Sequence, residues 1–301
     1  MIPISATNED IDSRVRRCCA PLFGNGMHLE GGHDTSVTNA TVTFVKFKSR
    51  YYAVTCHHVL SAFFNASVRS NRRIVPTLHF GSGVFPMGSY TSRGTYLWAF
   101  RSCRAFLDPV DMDSDDATAR LDRANSTRPD IAIADVTRSW PIFCSQRDIE
   151  AIDLDTWTDP DWTTFQETWV AFGFPDEHKY QVENKLAAPM PRVSVNLATG
   201  FPSPEKPTFT LFSSLKSDHG WGFSGMSGGP VLVAHDTDDT FAFVGITFEG
   251  APSTKELHND ADAIVQRTDI VLTGYHLTPQ QFNSWLAQLT YEVEWDEPPT
   301  L

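Results

Sequence analysis

Gly222-Phe223-Ser224-Gly225-Met226-Ser227-Gly228-Gly229-Pro230-Val231-Leu232-Val233 sets a serine among glycines and follows it with a proline and an apolar, β-branched run. Two physical demands produce such a pattern. A nucleophilic serine must stand on a tight turn with its hydroxyl exposed, and backbone N–H groups must converge on the oxygen that becomes charged during attack. Gly225 and Gly228 can adopt backbone conformations that strain residues with a Cβ. The N–H groups of Gly225 and Ser227 could then line one small oxyanion hole. An ordinary glycine-rich turn is the bland alternative.

Gly-x-Ser-x-Gly also marks the strand-to-helix elbow of α/β-hydrolases. Here Val231-Leu232-Val233 reads as a new strand after the serine, which excludes that elbow. A serine also needs a base, and the base needs an orienter. Upstream, Val54-Thr55-Cys56-His57-His58-Val59 ends one β-like run, and Arg128-Pro129-Asp130-Ile131-Ala132-Ile133 begins another. The order along the chain is therefore His, Asp, Ser.

These strings together resemble the trypsin-like serine peptidases of the chymotrypsin superfamily, including the HtrA-type bacterial enzymes. Val-Thr-x-x-His-Val resembles their catalytic-histidine motif and puts the base at His58. Asp-Ile-Ala-Ile resembles their aspartate motif and makes Asp130 the orienter, with Asp135 matching no position. Gly-x-Ser-Gly-Gly-Pro supplies Ser227. The resemblance implies Gly225 and Ser227 N–H groups in the oxyanion hole. It also implies substrate contacts along Thr247-Phe248-Glu249-Gly250, after Val244-Gly245-Ile246. Trp221, six residues before the serine, stands where relatives floor the primary pocket, and it carries no charge. Glu249 or Asp218 could charge the wall of that pocket.

The chain departs from the secreted members of this family. Met226 replaces the acidic residue that pairs with a new N-terminus, so activation by N-terminal insertion is excluded by chemistry. Val59 follows His58 where secreted enzymes carry a cysteine. Control would then fall to loops, an effector or a regulatory protein partner.

Around these motifs the 301 residues carry a net charge of −13. That acidity disfavours a nucleic-acid partner, because phosphate binding needs a basic surface. The 41% apolar content suffices for a sizeable core. The five cysteines form no CxxC or zinc spacing and read as reduced thiols of a cytoplasmic protein. Cys56 beside His57 suggests a metal or thiol site, but a buried strand cysteine fits better. The polar start, Met1 to Asp10, lacks the pattern of a signal peptide, and no run is apolar enough to span a membrane. No metal or cofactor is expected. Asp111-x-Asp113-x-Asp115 with Asp122 loosely imitates a calcium loop but lacks its glycine, so a solvated acidic loop is the better reading.

The expected fold is all-β, a double six-stranded β-barrel of chymotrypsin type with a C-terminal helix. Its parts would be an N-terminal extension (1–34), a barrel with His58 and Asp130 (35–140), a connection (141–166), a barrel with Ser227 (167–277), then the helix and an acidic tail (278–301). Residues 41–55 read as a hairpin broken at Lys48-Ser49-Arg50. A short helix follows Asn8, and Ser61 to Phe64 make one helical turn. Residues 108–125 read as a loop. Thr278, Pro279 and Gln281 form a capping box over the apolar face Phe282, Trp285, Leu286 and Leu289. The expected function is peptide-bond hydrolysis on a protein or peptide substrate. The rivals are a silent pseudoprotease used for interaction, and an esterase with the same triad.

Overall fold

The computed structural model describes residues 2–4, 10–26, 39–70, 74–80, 83–87, 100–182, 185–214, 223–236, 240–251 and 269–292. The C-terminal half closes on itself. Strands Phe165–Phe172, Arg192–Leu197, Thr208–Ser214, Asp269–His276, Phe241–Ala251 and Pro230–His235 pair in that order, and the last pairs back with the first. Every pairing in this six-stranded ring is antiparallel. Closure removes the free edges that an open sheet exposes.

The N-terminal half is a curled sheet. Its main path runs Gly83–Pro86, Ile74–Phe80, Cys19–Gly26, Asn39–Phe47, Arg50–Thr55, Ala132–Asp135 and Phe100–Ser102. Among the described residues this sheet does not close into a six-stranded ring. Cys19–Gly26, read above within an N-terminal extension, is one of its central strands.

The hairpin at Lys48-Ser49 forms as its sequence suggests. Both residues sit in the left-handed region (φ 49° and 61°), which matches the twist of the flanking strands. Helices are more numerous than expected. Besides α1 (Ile11–Cys18), the chain forms α2 (His57–Ser70), α3 (Asp115–Asn125), α4 (Trp140–Gln146) and α5 (Pro279–Gln288). The expected single turn at Ser61 extends to a full helix because Val59, Leu60 and Phe63 share one buried face. The acidic stretch from Asp108 is a 3-10 turn and then α3. Ser114 caps α3 by accepting the Ala117 N–H at 3.2 Å, and Asp115 and Asp116 sit in its first turn. A helix spreads these carboxylates along its length, so Asp111–Asp122 is not a calcium-type loop.

The ends of the chain tie the halves together. Ile2–Ile4 pairs with Phe241–Ala251 of the barrel, while Tyr291–Glu292 pairs with Phe100–Ser102 of the other sheet. In α5, Thr278 accepts the Gln281 N–H at 3.1 Å, as the capping pattern implied. Phe282 and Trp285 are fully buried in a core that also holds Val45 and Phe47 from one half and Phe172 and Phe243 from the other. Burying each such side chain contributes roughly 1.5–3 kcal/mol.

Candidate active site

His58 is the second residue of α2, where the Arg50–Thr55 strand gives way to helix. Asp130 lies just before the Ala132–Asp135 strand, which pairs with Arg50–Thr55 and so brings the two side chains together. The His58 N–H donates to Asp130 Oδ1 at 2.9 Å, and its Nδ1 meets Asp130 Oδ2 at 2.7 Å. With Nδ1–H given to the carboxylate, Nε2 is left as an acceptor. Ser227 Oγ lies 3.0 Å from that Nε2 and 3.3 Å from the Phe248 carbonyl.

Asp130 is only 7% exposed. Burial pushes its carboxyl upward, but hydrogen bonds from His58 and electrostatic attraction to His58 and Arg104 outweigh it and hold the group below the usual range. Arg104 Nη1 is 4.0 Å from Asp130 Oδ2, and Arg104 Nε donates to the Arg128 carbonyl at 2.9 Å. The Asp130 N–H donates to the Tyr275 hydroxyl at 3.0 Å. Burial raises that phenol to about 12, so it stays neutral.

His57 does a different job. Its Nδ1 meets Ser102 Oγ at 2.7 Å, its ring packs on Phe106, and burial lowers its pKa to about 4. Asp135 pairs with Arg50 on the surface, away from His58. Cys56 is fully buried, and burial raises its thiol well above the ordinary value, which rules against a thiolate nucleophile. Among the described residues no cluster of histidine, cysteine or carboxylate could hold a metal.

The Ser227 loop turns through two glycines in the left-handed region, Gly225 (φ 95°) and Gly228 (φ 90°). Neither the Gly225 nor the Ser227 N–H meets a protein acceptor among the described residues. The neighbouring donors are engaged: Met226 N–H bonds Phe223 O, and Gly228 N–H bonds Thr247 O at 2.8 Å. The loop is anchored by one strand of the opposite sheet. Thr41 Oγ1 donates to Gly225 O at 2.8 Å, Thr41 N–H to Ser227 O at 3.1 Å, and Thr43 Oγ1 to Gly228 O at 2.6 Å. Asn39, Thr41 and Thr43 alternate along that strand and are all buried. Three alternating polar residues, Asn39, Thr41 and Thr43, at the start of a strand whose neighbouring positions are apolar were the signal for this contact.

A cleft of about 570 Å³ opens beside Ser227, walled by His58, Phe223, Phe248, Glu249 and Gly250. Thr247, grouped with those substrate contacts in the sequence reading, does not reach the cleft. It is 1% exposed, its Oγ1 donates to Met226 O at 2.7 Å, and its N–H bonds Gly229 O at 2.8 Å. Trp221 and Asp218 lie outside the described residues. Met226 is 1% exposed in an apolar cluster, where a carboxylate would be desolvated.

No protein-family model matches the chain. No curated protein matches it in sequence. Solved structures resemble it loosely. A thermostable serine protease, AL20, from an extremophilic microorganism is 12% identical with a TM-score of 0.41, covering 91% of this chain and 98% of that one. The protease Anisep from Arthrobacter nicotinovorans is 12% identical with a TM-score of 0.37, covering 91% and 96%. Mouse neuropsin, a serine protease of the limbic system, is 11% identical with a TM-score of 0.40, covering 90% and 93%. The fold class is read from the molecule itself: mostly β, one closed six-stranded barrel, one curled sheet and a C-terminal helix. No helix among the described residues is long and apolar enough to cross a membrane.

Proposed function

We propose that this chain is a serine endopeptidase that works through Ser227, His58 and Asp130 and an acyl-enzyme. The observation that carries the reading is the His58 imidazole, hydrogen-bonded to a buried carboxylate on one side and to Ser227 Oγ on the other. In the proposed reaction Ser227 Oγ attacks the scissile carbonyl carbon while His58 Nε2 takes its proton. Asp130 holds the Nδ1–H and stabilises the imidazolium. The Gly225 and Ser227 N–H groups receive the tetrahedral oxyanion. His58 then protonates the leaving amine, and a water molecule, activated by the same imidazole, releases the acyl group and restores Ser227. Substrate backbone would lie along Phe248 to Gly250, which line the cleft. All five cysteines are free thiols, which supports a cytoplasmic setting.

The test combines a fluorophosphonate probe with peptide-library cleavage. The wild-type chain is expected to be labelled at Ser227 and to cleave peptides. Ser227→Ala should lose labelling and lower kcat by about 10⁶-fold, the scale seen when such triads lose their nucleophile. Peptide cleavage surviving in Ser227→Ala would overturn the assignment.

A further inference from the structure

A partly buried ion pair stands beside the Ser227 loop. The Lys179 side chain is only 5% exposed, and its ammonium meets Asp176 Oδ1. Taking an ammonium out of water is costly unless it is paired and hydrogen-bonded. Lys179 Nζ also reaches Asn39 Oδ1 at 3.3 Å. The Asn39 N–H in turn donates to Asp176 Oδ1 at 3.0 Å, and the Asn39 amide donates to the Phe174 carbonyl. Asp176, Lys179 and Asn39 are thus joined in one hydrogen-bonded set.

That set touches the oxyanion loop at one peptide unit. The Asp176 N–H donates to the Ser224 carbonyl at 2.7 Å. A trans peptide is planar, with its C=O and N–H pointing in opposite directions. Holding Ser224 O on Asp176 therefore aims the Gly225 N–H away from Asp176, and Gly225 lies with Ser227 in the lining of the cleft. Rotation of that peptide would withdraw the N–H. Gly225 is packed so closely that an added Cβ would lie 2.9 Å from Asp176 N and 3.1 Å from Asn39 Nδ2.

We propose that the Lys179–Asp176 pair, with Asn39, is a built-in positioning device that locks the Ser224–Gly225 peptide in the oxyanion-binding orientation. The loop is then set without chain cleavage and without a partner, in a protein whose Met226 offers no carboxylate to an incoming ammonium. This inference rests on the peptidase reading and deepens it. Lys179 and Asp176 act through Gly225 and do not touch the reacting atoms.

The experiment uses the full chain, with Lys179→Met, Asp176→Asn and Lys179→Arg, circular dichroism as the fold control, and three readouts. These are the fluorophosphonate labelling rate, the split of kcat against KM on a peptide substrate, and the affinity of a peptide boronate that mimics the tetrahedral state. Lys179→Met and Asp176→Asn are expected to lower kcat and the labelling rate by about 30-fold or more, approaching the 10²–10³ typical of a lost oxyanion donor. Boronate affinity should fall in parallel, KM should stay within about threefold, and Lys179→Arg should recover most of the loss. Folded variants with wild-type kcat and boronate affinity would overturn the positioning role alone. So would failure of both Lys179→Met and Asp176→Asn to fold, which would make the pair purely structural. A wild-type chain that never reacts with the probe would instead overturn the peptidase reading.

Discussion

At the scale of single residues, the Ser227 loop depends on atoms that are absent as much as on those present. An added Cβ at Gly228 would stand 2.1 Å from the Thr41 carbonyl, on a residue already at φ 90°. Gly228→Ala is therefore expected to lose about 2–4 kcal/mol of stability, read as a lower denaturation midpoint in urea. His57 and His58 show how far one residue of sequence separates two roles. His58 faces the cleft and Ser227, while His57 is buried against Ser102 and Phe106. The motif around Val54 and Val59 singled out His58, and His58 is the one that lies beside Asp130 and Ser227. The role of Thr247 was not legible. A threonine next to a cleft residue looks the same in sequence whether its hydroxyl faces substrate or a neighbouring carbonyl.

At the scale of elements, the Asn39–Phe47 strand is more than half of a hairpin. Its polar face is the clamp that holds the Ser227 loop. Thr41 Oγ1 donates to Gly225 O and accepts the Phe174 N–H at 3.0 Å. Thr41→Val keeps the shape but leaves both backbone groups buried without partners. It should cost about 2–4 kcal/mol in thermal or chemical unfolding and lower kcat more than it raises KM. The hairpin itself and α5 were legible, since turn residues, a capping box and an apolar stripe are local signals. The length of α2 and the existence of α3 were not recognised. Their local signals were present in Val59, Leu60 and Phe63 and in the Ser114 cap, but the dense carboxylates around Asp115 suggested a loop.

At the scale of the whole molecule, two buried neutral histidines set the response to acid. Burial lowers both His57 and His276 to about 4. An unfolded histidine titrates near 6.5, so below that pH the unfolded chain binds protons that the folded one refuses. Their stabilisation is full above about pH 6.5 and is lost as the pH falls toward 4, by up to about 3 kcal/mol for each. Asp130, held below the ordinary carboxyl range, adds its own loss at still lower pH. Melting temperatures should therefore fall steadily from pH 7 to pH 4.5, and His57→Gln should flatten that slope. A Tm independent of pH across this window would show that neither histidine is buried neutral.

The sequence by itself determined the chemical identities and their order: a serine between glycines, a histidine closing one strand and an aspartate opening another. These are local patterns, because a turn, a strand end and a cap are each written within a few residues. It also determined that Met226 leaves no carboxylate in the loop. Only the tertiary structure decided what surrounds that serine. The Thr41–Gly225, Asn39–Asp176 and His58–Ser227 contacts join residues 184, 137 and 169 positions apart. Such contacts depend on which faces of two sheets meet, and facing is set by the packing of the whole chain rather than by any neighbouring residue.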